Sequence, residues 1–515
     1  IHVEWFRSRN DLDFPNIMVT LDHLKSAFDL AVASPNETSL LEFLNACNAC
    51  NIEVFKIFKN AHSIDVIYRH LISNDESVGN LCCKIIQKIA EMSEPSYYLV
   101  PHGVEMCHIL SSGNDCSLAC ILKLLDRATA SDPQIIFQLP SDLFKYVILN
   151  CSKELEVYEL SQKIIKNVCT SLDGLQFFLS DENLDTLKSC TSVSEIVKFR
   201  IIECLVDIAS QSNEVFNALN SKELLEVLFS STKSDDPLSL ANSLHLLGKL
   251  AATRHGYVYL EQNGYMEDIV HQAESNLNSA ASTILFPVTM KVFCFAGHRH
   301  GKDIIEKHSG LIRILSKSLN HHSGIVVSSG LEVIAYLGMG CSGKEALYSS
   351  EEFKKVFLTM ANLIQRRTDD IKFQSLKCLG QILKCKEDHQ QCQQISYSWF
   401  NQLGNDPLQL IIDTCKLPFP DARCAGLQVL VSLSSFKWFL TIVANRAGIL
   451  EYLLDRTTET HKACKDIKFE VIKAIALSPS LEDCFDSNAS ARIKAHYASG
   501  PYYTRADAAV TFEGE

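Results

Sequence analysis

The sequence predicts an all-α protein, an armadillo/HEAT-like helical-repeat solenoid wound into a curved superhelix. Three observations predict it. Apolar segments of helical period recur along the chain, and no stretch of any length alternates apolar and polar residues as a half-buried strand would. The most apolar segments end at Ala90, Ala128, Val168, Ala209, Ala251, Ala296, Gly338, Lys384, Ser434 and Ala476. That recurrence, about 40–47 residues, belongs to armadillo and HEAT arrays. The joints between segments also repeat one grammar, Asp-Pro before a helix and Gly between helices.

Each joint has a physical reason. Asp132-Pro133, Asp236-Pro237 and Asp406-Pro407 open helices. The carboxylate caps orphan N–H groups, and proline fits the first helical position. Gly264, Gly310 and Gly448 each precede an apolar helix start. Glycine there supplies the left-handed residue through which the preceding helix exits. The run from Leu427 to Ala444 is strongly apolar but carries Lys437 and several serines. A membrane span needs ~20 predominantly apolar residues, so this run reads as a buried solenoid helix, and no membrane partner is expected. No linker divides the array, so residues 1–500 are expected to form one solenoid. Gly500-Pro501 stops the last helix, and residues 501–515 are expected to be a flexible tail. A single repeat of this kind cannot bury its apolar face alone. Stacking makes the core and leaves a long concave surface on which partners bind.

Composition narrows the function. In 515 residues, 47% are hydrophobic and 21% charged, enough apolar material for a continuous core and too much for disorder. The formal net charge of -13 argues against a nucleic-acid partner, which would need a basic face. Most of the 20 cysteines sit inside apolar helical patterns, as Cys204 does, where a free thiol acts as a small hydrophobe. With no signal-peptide pattern, the expected location is cytoplasmic, or nuclear as well.

The motifs that could carry chemistry are each incomplete. Gly338 to Lys344 approaches a phosphate-binding loop, but Glu345 stands where Ser or Thr would hold magnesium, and the segment follows a helix rather than a strand. Cys47 and Cys50 lack the second ligand pair of structural zinc. Cys378, Cys385, His389 and Cys392 would share one helical stripe, which cannot wrap an ion tetrahedrally. His298, His300, His308, His321 and His322 read as solvated loop histidines. The expectation is therefore no catalytic, cofactor-binding or metal residues: a binding scaffold and not an enzyme. Armadillo import adaptors carry a Trp-Asn ladder, and Trp5, Trp399 and Trp438 do not build one.

The last part of the chain resembles the 26S proteasome non-ATPase regulatory subunit 5 family. The matching segments, in order, are Trp399-Phe400, Asp406-Pro407-Leu408, Pro418-Phe419-Pro420-Asp421, Asp455-Arg456-Thr457, Lys462-Ala463-Cys464-Lys465-Asp466, Phe469-Glu470 and Gly500-Pro501-Tyr502-Tyr503. Val197 to Ala209 and His255-Gly256 through Gly264 are also similar. The resemblance implies a chaperone for the base of the proteasome regulatory particle. Such a protein would hold the C-terminal small domain of an AAA-type ATPase subunit, join a precursor with a large base scaffold subunit, and leave before the mature proteasome forms. The alternative is a general armadillo adaptor for transport or signalling. A monomer is expected.

For the partner-binding surface, exposed pairs on the last helix of central repeats are the candidates. They are Asn242 with His245 and Lys249, then Lys291 with Phe295, then Glu332 with Tyr336. Residues four apart project from one helix face.

Overall fold

A computed structural model describes residues 20–72, 75–234, 236–385 and 389–502. These are helices and turns, with no strand among the described residues. Two compact units divide the chain, Ile1–Glu226 and Val227–Glu515. Residues 503–515, most of the segment expected to form a tail, lie outside the described residues, as does Trp5.

Each unit is built on a ladder of long helices that stack on one another in chain order. In the first unit the ladder is α1 (Glu37–Ala49), α2 (Glu76–Met92), α3 (Asp115–Ser131), α4 (Leu155–Val168) and α5 (Glu195–Ala209). In the second it is α6 (Pro237–Ala251), α7 (Ser282–Lys307), α8 (Gly324–Leu337), α9 (Asp370–Leu383), α10 (Pro420–Leu433) and α11 (Lys462–Leu477). Nine of the ten segment ends read from the sequence fall within three residues of a ladder-helix terminus. The tenth, Ala296, lies inside α7. That helix runs on to Lys307 through a kink at His300, where φ is -116° and ψ 17°.

The helices form for the reasons the sequence supplies. Asp236 accepts a hydrogen bond from the Ser239 N–H and Asp406 from that of Gln409, with Pro237 and Pro407 at the first helical position. Asp132 caps in the same way, though the helix it opens is a 3-10 turn, Pro133–Gln138. Gly264 and Gly448 take φ of 77° and 83°, a left-handed conformation costly to any residue with a Cβ. Gly310 departs from expectation, because it sits in the first turn of helix Ser309–Leu319. The break falls at His308 instead, whose buried ring is gripped by Glu267 at 2.8 Å and Glu261 at 3.0 Å. That clamp fixes the reversal without a glycine.

Ladder helices bury one broad stripe each. In α6, Leu240, Leu244, Leu246, Leu247 and Leu250 are all buried, each worth about 1.5–3 kcal/mol relative to exposure. Close approach is helped by small residues. A Cβ on Gly248 would lie 2.5 Å from the Phe295 ring, and one on Gly297 would crowd the backbone at Tyr336 and Leu337. Behind the second ladder, helices Tyr265–Leu277, Ser309–Leu319 and Glu351–Arg366 stack in the same order. No single helix among the described residues is long and apolar enough to cross a membrane. The apolar run from Leu427 is split between α10 and helix Lys437–Ala444, bent by 120°.

Candidate functional site

Three successive helices of the second ladder carry every candidate contact residue. Asn242 and His245 are exposed on α6, with Lys249 half-buried one turn on. Lys291 is exposed and Phe295 half-buried on α7, while Glu332 and Tyr336 are half-buried on α8. The structure brings these together as a connected row. His245 meets the Phe295 ring edge-on, with centroids 5.4 Å apart, and Phe295 lies over the gap left by Gly248. Lys291 Nζ donates to Glu332 Oε1 at 2.7 Å, and that hydrogen bond raises the lysine's pKa above its ordinary value. Further along, His298 Nδ1 lies 3.0 Å from Met339 Sδ. The spacing of four finds side chains on one face, but much of their bonding capacity is directed at the next helix.

Beyond this row the ladder face opens. A cleft of about 790 Å³ spans from Met339 after α8, across α9 and α10, to Ile467 on α11. Exposed Lys377 and Gln381 line it from α9, exposed Lys384 from just past its end, and exposed Gln428 from α10. None of these is among the residues that the sequence points to. A usable signal is present: they interrupt the apolar run of α9 at intervals of four and three, the period that puts residues on one face.

Several residues that suggest chemistry in the sequence are packed into the fold. Lys344, of the near phosphate loop, has no exposed surface. Its ammonium donates to the Leu383 carbonyl at 3.2 Å, the Lys384 carbonyl at 3.0 Å and Ser396 Oγ at 3.1 Å. It thus satisfies orphan carbonyls at the C-terminus of α9, where a cation also suits the helix dipole. Burial lowers its pKa. Lys468 on α11 repeats the device: it donates to the Asp455 carbonyl at 2.8 Å, after helix Ile449–Leu454, and lies over the Tyr452 ring. Burial brings its pKa down to about 8. Beside it, buried Glu459 accepts from the Tyr452 hydroxyl at 3.2 Å and faces Arg423 Nε at 3.2 Å, a charge contact without the alignment of a hydrogen bond.

Two of the five histidines expected in solvent are packed instead. His308 is clamped between carboxylates, and His300 stacks on Tyr257 at 4.3 Å. The thiols are free and mostly buried, and burial pushes those of Cys47, Cys82 and Cys204 up to about 12. Among the described residues no three His, Cys, Asp or Glu side chains are grouped to hold a metal ion.

Known proteins resemble this chain along most of its length. The family profile described as Proteasome non-ATPase 26S subunit matches residues 31–515. The 26S proteasome non-ATPase regulatory subunit 5 of Bos taurus is 24% identical over 453 residues, covering 87% of this chain and 90% of the relative. The Homo sapiens protein of the same name is 24% identical over 454 residues with the same coverage. Among solved structures, yeast importin-beta (Kap95p) superposes with a TM-score of 0.51 at 12% identity, over 88% of this chain and 61% of that one. The last likeness concerns fold, that of a helical-repeat solenoid.

Proposed function

The chain belongs to the proteasome non-ATPase 26S subunit family, and from that premise we propose that it is a chaperone for assembly of the regulatory-particle base. A proteasome-related role follows from the membership itself. The proposed task is to hold the C-terminal small domain of an AAA-type ATPase subunit, beside a base scaffold subunit, and to leave before the mature particle forms. The observation that carries this reading is the match to regulatory subunit 5 over 90% of the relatives' length.

The chemistry of the ladder face suits such a task. It offers many modest contacts spread over successive helices, with aromatic Phe295 and Tyr336 among them as anchors. Release then requires only competition for the surface, since occupancy follows mass action. The chain need carry out no reaction of its own. Its buried free thiols suit a reducing compartment, the cytosol or nucleus.

The test is affinity for isolated ATPase small domains, with helicity recorded alongside. Reversing Lys249 and Lys291 together to Glu should weaken binding, because like charges across an interface are costly. Lys222→Glu, in the other unit, should do little. If no proteasome ATPase small domain binds the intact protein, the assignment fails. If one binds and the double reversal leaves affinity unchanged, the choice of surface fails.

A further inference from the structure

Two thiols meet where α10 and α11 begin. Cys424 is the fifth residue of α10 and Cys464 the third of α11. Their sulfurs are 3.5 Å apart. A disulfide bond is about 2.05 Å long, so bonding needs only a small closure. Cys464 has no exposed surface, and its sulfur lies 3.5 Å from the Pro420 carbonyl oxygen. Cys424 is half-buried and borders the cleft that runs from Met339 to Ile467. Solvent therefore reaches one sulfur of the pair directly and the other only through it. The surrounding charges separate the two further. A hydrogen bond with Cys464 is the largest of the interactions that raise the pKa of Arg423. A neighbouring cation and the start of a helix both favour a thiolate. Burial, with Cys464 next, pushes the Cys424 thiol up to about 12. The inner sulfur is thus the better site for the pair's first negative charge, and the outer one keeps its proton.

We propose that Cys424 and Cys464 are a redox-active pair, which a small hydroperoxide converts to a reversible disulfide joining α10 to α11. The Cys424 sulfur attacks one peroxide oxygen. An S–O bond forms, the O–O bond breaks, and the proton of Cys424 passes to the Cys464 thiolate, 3.5 Å away. The leaving hydroxide collects that proton as water, which leaves a sulfenic acid on Cys424 and the thiolate restored on Cys464. Cys464 then attacks the Cys424 sulfur. The S–S bond forms, the S–O bond breaks, and hydroxide leaves. The two sulfurs together lose two electrons, and the peroxide gains them. A thiol reductant reopens the bond by exchange. Because the sulfur that solvent reaches is the protonated one, the reaction is slow, which suits a response to sustained oxidation. In a reducing compartment the dithiol is the resting form. Once formed, the bond fixes the last two helices of the second ladder to each other beside the cleft. The inference rests on this thiol pair and stands apart from the assembly role.

The experiment takes the full chain, reduced and then freed of reductant. Hydrogen peroxide is raised until the exposed thiol of Cys116 is oxidised, which serves as an internal measure of dose. The remaining thiols are alkylated after unfolding, and the digested chain is read by mass spectrometry. The expected product is a Cys424–Cys464 peptide pair lighter by two hydrogens than its separate parts. Dithiothreitol before digestion should abolish it. Circular dichroism of the treated chain should match that of the reduced one, so that the bond forms within the fold. Cys424→Ser, a change that keeps the side chain's shape, should leave Cys464 reduced at the same dose, because that sulfur has no exposed surface. Recovery of both thiols in alkylated form while Cys116 is oxidised would overturn the proposal. So would a bond from Cys424 to some other cysteine, a link that appears only with loss of helicity, or oxidation of Cys464 in the folded Cys424→Ser variant.

Discussion

Two stretches of the second ladder face carry similar side chains and use them differently. From His245 to Glu332, polar groups on successive helices bond one another: ring against ring, ammonium against carboxylate. From Lys377 to Ile467 they border an open cleft. The same contrast separates Lys344, whose charge is consumed by two carbonyls and a hydroxyl, from Lys384, exposed just past the end of α9. Exposure and helical spacing therefore mark where a side chain points. What it has left to offer depends on what the next helix places opposite.

The deepest charges give the strongest test of that contrast. Glu459→Ala leaves Arg423 without its close counter-charge and should cost about 3–5 kcal/mol, read as a fall in denaturation midpoint. A cost no larger than that of an exposed substitution would mean the group is not working as a buried ion. Lys344→Met keeps the volume but leaves the Leu383 and Lys384 carbonyls without their ammonium donor, so about 1–3 kcal/mol should be lost.

Lys468 adds a pH signature. With its folded pKa near 8, the folded chain gives up this proton before the unfolded chain does. Between about 8 and the ordinary lysine value of 10.5, the unfolded state holds more protons, and this group's contribution to stability rises with pH. Lys468→Met should flatten that difference when midpoints are compared between about pH 7.5 and about pH 9.5, a window that brackets the folded value. Parallel curves for parent and variant would show that the ammonium is not held down in the fold.

Toward the surface the expected effects shrink. A double-mutant cycle on Lys291 and Glu332 should give a coupling of about 0.2–1 kcal/mol, reduced by salt, since both groups are partly exposed. Coupling near zero would return Lys291 to the pool of available cations and erase the distinction between the two stretches. Reversing Lys377 and Lys384 should change stability by no more than about 0.5 kcal/mol, because both side chains are exposed. A larger loss would show that the cleft lysines are structural as well.

Much of the ladder is legible in the residues themselves. Apolar period and Asp-Pro starts locate nine segment ends, because both signals act within one helix. Ala296 lies four residues before the break at His300, where the backbone leaves helical values and the ring stacks on Tyr257 of another helix, and a short continuation then runs on to Lys307. Gly310 fails as a break because Glu261 and Glu267, over 40 residues earlier, hold His308 in its place. The contact residues on α6, α7 and α8 fall on one face as their spacing predicts, but spacing carries no sign of their mutual pairing.

By itself the sequence determined the helical-repeat class, the positions of the long helices and the family, since capping, turn conformation and apolar period are local properties of the chain. Tertiary structure alone decided which charges are available. Lys344 and Lys377 look alike as residues, and only the packing of α9 against its neighbours makes one a buried cap and the other the edge of a cleft. The energy of a charged group is set by the groups it meets across helices, and those lie about 40 residues away in sequence.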